Sequence, residues 1–188
     1  MISVRVGVPP PEINMKLEIK IYPDPVLKQK AEKVEKIDQE VLDLIKNMKE
    51  TMTEEKEGRV KGVGLAGNQV GVLKRIIIVS TKDGPKGFIN PQVLRLGKKK
   101  EIGKEGCLSV PGLWLEIKRP AWVEVKAINE ESREVEFKAE GFLARVLQHE
   151  IDHLNGVLFF ERLGLFERLR VKRKLNKLIQ GLKSNNFQ

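Results

Sequence analysis

The sequence predicts an α+β fold in which mostly antiparallel β-sheets surround a central helix bearing a His-Glu-x-x-His pattern, followed by an amphipathic C-terminal helix. Three observations predict it. Short apolar runs and period-2 alternation crowd into the middle of the chain, while the flanks carry apolar residues at helical spacing. Glycine and proline punctuate the middle, as hairpin-connected strands require. Gly141 to Gly156 is an apolar-rich stretch bounded by two glycines, the second in Asn155-Gly156, a helix-stopping pair.

Taken in order, residues 1–14 read as an extension of unknown role. Ile2, Val4, Val6 and Val8 alternate like a short strand, Pro9-Pro10-Pro11 stops any ladder or helix, and Met15 begins a segment able to start a protein by itself. Prolines between Tyr22 and Pro25 make a turn, followed by a short helical stretch over 26–31. Asp38 is the N-cap of a firmer helix whose stripe is Val41, Leu44, Ile45, Met48 and Met52. The next stretch, 59–71, is broken by Gly62, Gly64, Gly67 and Gly71. Ile76 to Val79 is a wholly apolar strand, and Phe88-Ile89 begins another that ends at Asn90-Pro91. Residues 97–100, Gly-Lys-Lys-Lys, form an exposed basic connection.

Leu113, Leu115 and Ile117 alternate. Val123 with Val125, and Val135 with Phe137, flank Asn129 to Ser132 and read as a hairpin. After the Gly141–Gly156 helix, a strand-like Val157 to Phe160 precedes a final helix over about Leu165 to Leu182. The expected organisation is therefore an extension over 1–14, a main domain over 15–164 and a basic amphipathic helix with its tail over 165–188.

Composition sets the outer limits. A chain of 188 residues, 40% hydrophobic and 32% charged, is expected to form one globular domain with a sizeable core. No apolar run approaches the ~20 residues needed to span a bilayer, so no membrane partner is expected. The start lacks the basic, apolar and small-residue segments of a secretory signal, and one cysteine fits a reducing, cytoplasmic setting. The formal charge of +9 permits a polyanionic partner. Only two histidines are present, four residues apart.

Those two are His149 and His153 in His149-Glu150-Ile151-Asp152-His153. At 100° per residue, positions i and i+4 differ by about 40°, so both imidazoles leave one face of the helix and can reach one metal ion. Glu150 beside them is placed to handle protons on a bound water. The pattern alone also fits two histidines on a charged helix. A catalytic metal ordinarily takes three protein ligands and keeps one open position. A third histidine does not exist in the chain, and Glu161 and Glu167 fall too close along it to reach back easily. Cys107, in Glu105-Gly106-Cys107-Leu108-Ser109, is the remaining candidate, a soft sulfur ligand whose flanking Gly106 allows close backbone approach. A lone cysteine is more commonly an inert buried residue, so counting alone leaves the point open.

Three separated segments resemble the peptide deformylase family in order: Gly62-Val63-Gly64-Leu65-Ala66-Gly67-Asn68-Gln69 is similar to its GxGxAAxQ motif, Glu105 to Ser109 to EGCLS, and Gln148 to His153 to QHExDH. One position departs, Gly67 standing for the second alanine, which is expected to leave that loop looser while removing no chemical group. The resemblance implies a hydrolase that removes the formyl group from the N-terminal formyl-methionine of new polypeptides. It implies a divalent metal on Cys107, His149 and His153, typically Fe(II), with Zn, Ni or Co as substitutes, and water in the fourth place. Glu150 would be general base and then acid, and the Gln69 amide with the Leu108 backbone N–H would face the developing oxyanion. An extended nascent N-terminus would pair with backbone at Val63, Gly64 and Gly106. Phe142 and Val146, one and two turns before the histidines, would line a slot for the methionine side chain; the Arg145 stem would join them with its head in solvent. Trp114 is placed to flank later substrate residues.

Residues 165–188 hold seven cationic side chains against Glu167, +6 of the total charge, along a stripe of Leu165, Leu169, Leu175, Leu178, Ile179 and Leu182. A docked amphipathic helix with a solvated cationic face accounts for this. So does attachment to ribosomal RNA, where nascent substrate emerges. Two other functions fit parts of the sequence: an HExxH zinc endopeptidase, and a catalytically degenerate ribosome-binding homologue.

Overall fold

The computed structural model describes residues 16–54 and 61–185. A 3-10 turn, Pro25–Lys28, starts where Asp24 accepts from the Val26 N–H at 2.9 Å. Helix α1 (Gln39–Thr53) is capped by Asp38, as expected, through the Val41 N–H. There follow β1 (Gly64–Ala66), a 3-10 turn (Gly67–Val70), β2 (Ile76–Thr81), β3 (Gly84–Leu96), β4 (Lys100–Cys107), β5 (Val110–Pro120), β6 (Trp122–Ile128) and β7 (Glu134–Glu140). Helix α2 (Gly141–Leu154), a 3-10 turn (Phe159–Arg162) and helix α3 (Leu165–Asn185) complete the chain. The strands make an antiparallel five-stranded sheet in the order β1-β2-β3-β6-β7 and a two-stranded sheet, β4-β5.

The apolar run of β2 is continuous because helices cover both faces of the large sheet. Ile76 and Ile78 pack with Val41, Ile45, Met48 and Met52 of α1. Ile77 and Val79 point the other way, onto Ala144, Leu147, Ile151 and Leu154 of α2. A third cluster joins Val110, Leu113 and Ile117 of β5 to Leu27, Phe159 and Phe160, and to Val171 and Leu175 of α3. The helix carrying the two histidines is thus clamped between sheets and buried from Val146 to Leu154.

The α+β class, α1, the β6-β7 hairpin and the α2 boundaries follow the sequence expectation. Other elements differ. Strand β3 does not end at Asn90-Pro91 but passes through it, with a register irregularity between Ile89 and Gln92 and Asn90 at a φ of 53°. The bulge absorbs the proline that has no N–H to give the ladder. Lys100, placed in a loop, starts β4. Residues 157–160 are not a strand: Leu158 leads into a 3-10 turn that buries Phe159 and Phe160. On α3 the docked residues are Val171 and Leu175, whereas Leu165 and Leu169 are exposed, so the expected stripe holds at Leu175 and fails at its first two members. The side chains of Leu178, Ile179 and Leu182, and the alternation of Ile2 to Val8, lie outside the described residues. No described helix is long and apolar enough to cross a membrane.

The fully buried Ile78 provides a test of the α1 face. Ile78→Ala is expected to lower unfolding free energy by about 2–5 kcal/mol, through lost transfer energy and the cavity left behind. Urea titration should show the midpoint falling with an unchanged slope, and a loss below 0.5 kcal/mol would contradict tight packing there.

Candidate metal centre and active site

Helix α2 runs at the back of a cavity of about 600 Å³. Val63 and Gly64 at the start of β1, Gln69, Glu105 to Leu108, and Phe142, Arg145, Val146, His149 and Glu150 all line it. Every residue expected at the site except His153 borders this one space. His153 lies just behind, 1% exposed, with its Nε2 3.2 Å from Cys107 Sγ. The ligating atoms of Cys107, His149 and His153 lie within 4.8 Å of one another. The histidine rings are 5.0 Å apart at 67°, one helical turn separating them as the spacing requires.

Gln69 is 1% exposed. Its Oε1 accepts from the Ala66 N–H at 2.8 Å, and its Nε2 donates to Ser109 Oγ at 3.2 Å and toward Cys107 Sγ at 3.4 Å. The loop is not loosened by Gly67. A Cβ there would stand 2.6 Å from the Lys74 carbonyl and 2.7 Å from that of Val72, so glycine is what lets this turn close.

Two residues organise the candidate metal ligands without joining them. Glu105 Oε2 receives the Nδ1–H of His149 at 3.0 Å, which leaves Nε2 facing the cluster. Arg119, 4% exposed, forks onto both Glu105 oxygens at 2.7 and 3.1 Å and donates to Asp152 Oδ2 at 2.7 Å. Asp152 is also paired with Arg162. Glu105 stands within a recognisable motif, but Lys118-Arg119-Pro120 carries no spacing that would single Arg119 out. Arg145 corrects an expectation. Its head is not in solvent but turned inward, 2.6 Å from Glu105 Oε1 and bonded to backbone carbonyls of β4 and β5. Four fixed acceptors hold it better than water does. Glu161, offered for a peptidase site, instead accepts from the Leu158 N–H and pairs with Lys28.

Electrostatics divide the carboxylates. Burial raises the Glu105 pKa, but hydrogen bonds from His149 and Arg119 outweigh it and hold it near 2. Burial dominates at Glu150, which is pushed up to about 7 against the pull of His149 and Arg119. Burial also opposes charge on His149, yet its hydrogen bonds with Cys107 and Glu105, and the nearby Glu150, hold it up to about 10. His153 is driven well below its ordinary value by burial and by the charges on His149 and Arg119. The cluster therefore favours one positive charge among donors of sulfur and imidazole. That donor set fits a divalent transition metal. Glu150 is 4% exposed, and its Oε2 has no hydrogen-bond partner among the described residues.

Because the Glu105 pKa is depressed, its stabilisation is present above its unfolded pKa of about 4.5 and lost as pH falls toward 2. The full difference is worth on the order of 3 kcal/mol. Urea midpoints of wild type are expected to fall between pH 5 and pH 2.5, and those of Glu105→Gln, lower at pH 6, to fall less. Parallel acid limbs would sink the assignment.

The model of the polypeptide deformylase family matches residues 16–168. The chain is 49% identical over 144 residues to the peptide deformylase of Clostridium botulinum, covering 77% of this chain and 94% of that one. The crystal structure of peptide deformylase from Ehrlichia chaffeensis superposes with a TM-score of 0.80 at 37% identity, covering 91% of this chain and 99% of the other. A Met-Ala-Ser-bound crystal structure of the Acinetobacter baumannii enzyme gives 0.74 at 34% identity, covering 80% and 100%. With the family model matching residues 16–168 and relatives similar over most of its length, this chain belongs to the polypeptide deformylase family.

Proposed function

We propose that this metal-dependent deformylase removes the formyl group from the N-terminal formyl-methionine of new polypeptides with Cys107, His149 and His153 as metal ligands and Glu150 as the proton carrier. The observation that carries the assignment is Glu150 itself: buried, without a hydrogen-bond partner at Oε2 among the described residues, held near neutrality and open to the same cavity as the ligand cluster. A divalent ion there supplies an acidified water and a Lewis acid. We assign Fe(II) as the native ion by family resemblance, with Zn, Ni or Co able to replace it, since a Cys-His-His set suits each.

Glu150, with a pKa near 7, can take a proton from the attacking water and return it to the departing amine at neutral pH. Gln69 is fixed by its Oε1 bond to Ala66, so its amide N–H groups are aimed and need no reorganisation. With the Leu108 backbone N–H it forms the donor pair for the charge that develops on the formyl oxygen. The peptide lies extended along the cavity. Strand β1 is the edge of the large sheet, where Val63 and Gly64 would meet a strand added by β-augmentation, the Val63 carbonyl itself being taken by the Ser80 N–H, with Gly106 on the opposite wall. Phe142, Val146 and the Arg145 stem form the slot for the methionine side chain, with Trp114, 51% exposed, at the rim. The relative bound to Met-Ala-Ser supports a short peptide beginning with methionine in this groove.

Glu150→Gln keeps the shape and loses the base. Turnover of formyl-Met-Ala-Ser is expected to fall about 10²–10⁴-fold with KM little changed. Metal analysis of the same sample should give wild-type content; normal turnover by metal-loaded variant removes Glu150 from the mechanism, and metal loss makes it a ligand.

We further infer that α3 attaches the enzyme to the ribosome, through rRNA, where its substrate emerges. Arg168, Arg170, Lys172, Arg173 and Lys174 are all exposed, while Val171 and Leu175 dock the helix on the body. Replacing those five cations with Gln is expected to abolish co-sedimentation with ribosomes at low salt and to leave hydrolysis of a soluble formyl-peptide within about twofold, since surface changes away from the core cost little. Equal co-sedimentation would make α3 a structural brace only.

A further inference from the structure

The metal ligands come from two elements that meet along a thin seam. Cys107 ends β4, and His149 and His153 lie on α2. Arg145, one turn before His149, crosses that seam. Its Nη1 donates to Glu105 Oε1 at 2.6 Å, to the Ile117 carbonyl at 2.8 Å and to that of Gly103 at 3.4 Å; its Nη2 donates to the Glu101 carbonyl at 2.8 Å. The guanidinium lies flat over Gly103, which pairs with Ile117 across the β4-β5 ladder. A Cβ at Gly103 would stand 2.7 Å from Arg145 Cζ and 2.8 Å from Nε and Nη2. The backbone there imposes no need for glycine, so what excludes a side chain is the arginine above it.

We propose that Arg145, seated on Gly103, is a positioning residue that bolts the Cys107 strand to the histidine helix and thereby fixes both metal retention and the wall of the first-residue pocket. Two physical arguments support this. A planar five-donor head can engage β4, β5 and a buried carboxylate at once, which a lysine ammonium at the same depth cannot. The stem lines the cavity beside Phe142 and Val146, and a stem anchored at its far end is a rigid wall, unlike an exposed arginine free to swing. Tying the wall and the ligand strand to one side chain makes the pocket dimensions depend on the same seam as the metal geometry. The pocket half of the proposal rests on the cavity taking a formyl-methionyl chain; the metal half does not.

Two variants test it separately. Arg145→Met keeps an apolar stem and loses the bolt, and Gly103→Ala leaves Arg145 in the chain but displaces its head. Each is expected to speed metal loss to a chelator, followed by metal analysis, on the order of 10–100-fold, as for other groups that hold metal ligands in place. Each should also lower the ratio of kcat/KM for formyl-Met over formyl-Phe peptides by about 10-fold or more. The double variant should lose no more than the worse single one, because both changes break one contact. Wild-type metal release in both variants, or additive losses, overturns the proposal. If one variant fails to fold by circular dichroism, the other decides. Wild-type protein inactive on formyl-Met-Ala-Ser would instead remove the substrate reading and leave the chelator result to judge the bolt.

Discussion

A carboxylate buried at 5% exposure, Glu105, is the constraint on which the rest of the site depends. An uncompensated charge at that depth costs several kcal/mol, and the fold offsets it with three cationic or polar donors from two other elements. Arg119 comes from β5, Arg145 and His149 from α2, and Glu105 itself from β4. None of the four can be moved without stranding another, so the seam between the small sheet and α2 is held by a network whose partial loss is worse than its absence. The same contacts orient the His149 ring, and Arg119 carries the network to Asp152, on the turn of α2 that also bears His153. Structural support and orientation of the His149 ring are here the same set of hydrogen bonds.

The C-terminal helix shows a different division of labour. Val171 and Leu175 are four residues apart and bury one narrow face against Leu27 and the Phe159-Phe160 turn. Leu165 and Leu169, also four apart, begin six residues earlier, so their face is rotated by roughly 120° at 100° per residue and stays in solvent. Over residues 165–176 this narrow docking face leaves the rest of the circumference in solvent, and Arg168, Arg170, Lys172, Arg173 and Lys174 lie there.

Much of this was legible in the sequence, and the reasons for the exceptions are specific. The α2 site was readable because helical spacing alone places His149, Glu150 and His153, and the β6-β7 hairpin because alternation and turn residues agree. Strand β4 was not, since Lys-Glu-Ile-Gly-Lys-Glu-Gly-Cys has no apolar alternation; it is held by its ladder to β5 and mostly faces solvent. Val157 to Phe160 has the composition of a strand, but tertiary burial of two phenylalanines bends it into a 3-10 turn. Strand β3 passes a proline because a bulge accommodates it. Arg119 and the inward head of Arg145 are tertiary facts: their partners lie 14 to 44 residues away, and no local pattern marks them.

Glu105 and Glu150 are the same residue type in one cavity, and their pKa values are driven in opposite directions, to about 2 and about 7. The difference is not depth, since both are buried. It is the supply of donors. Glu105 has both oxygens engaged by guanidinium and imidazole, and so is held as an anion at neutral pH. Glu150 Oε2 has no such partner, and its Oε1 lies against the Cα of Gly64, where any side chain would collide with it. A carboxylate so placed is costly to the folded state above its unfolded pKa, because the fold favours its protonated form up to pH 7. That cost is what leaves the group able to exchange a proton near neutrality. On the function proposed above, the same separation gives the two carboxylates different work, one to hold the His149 ring and one to move the proton.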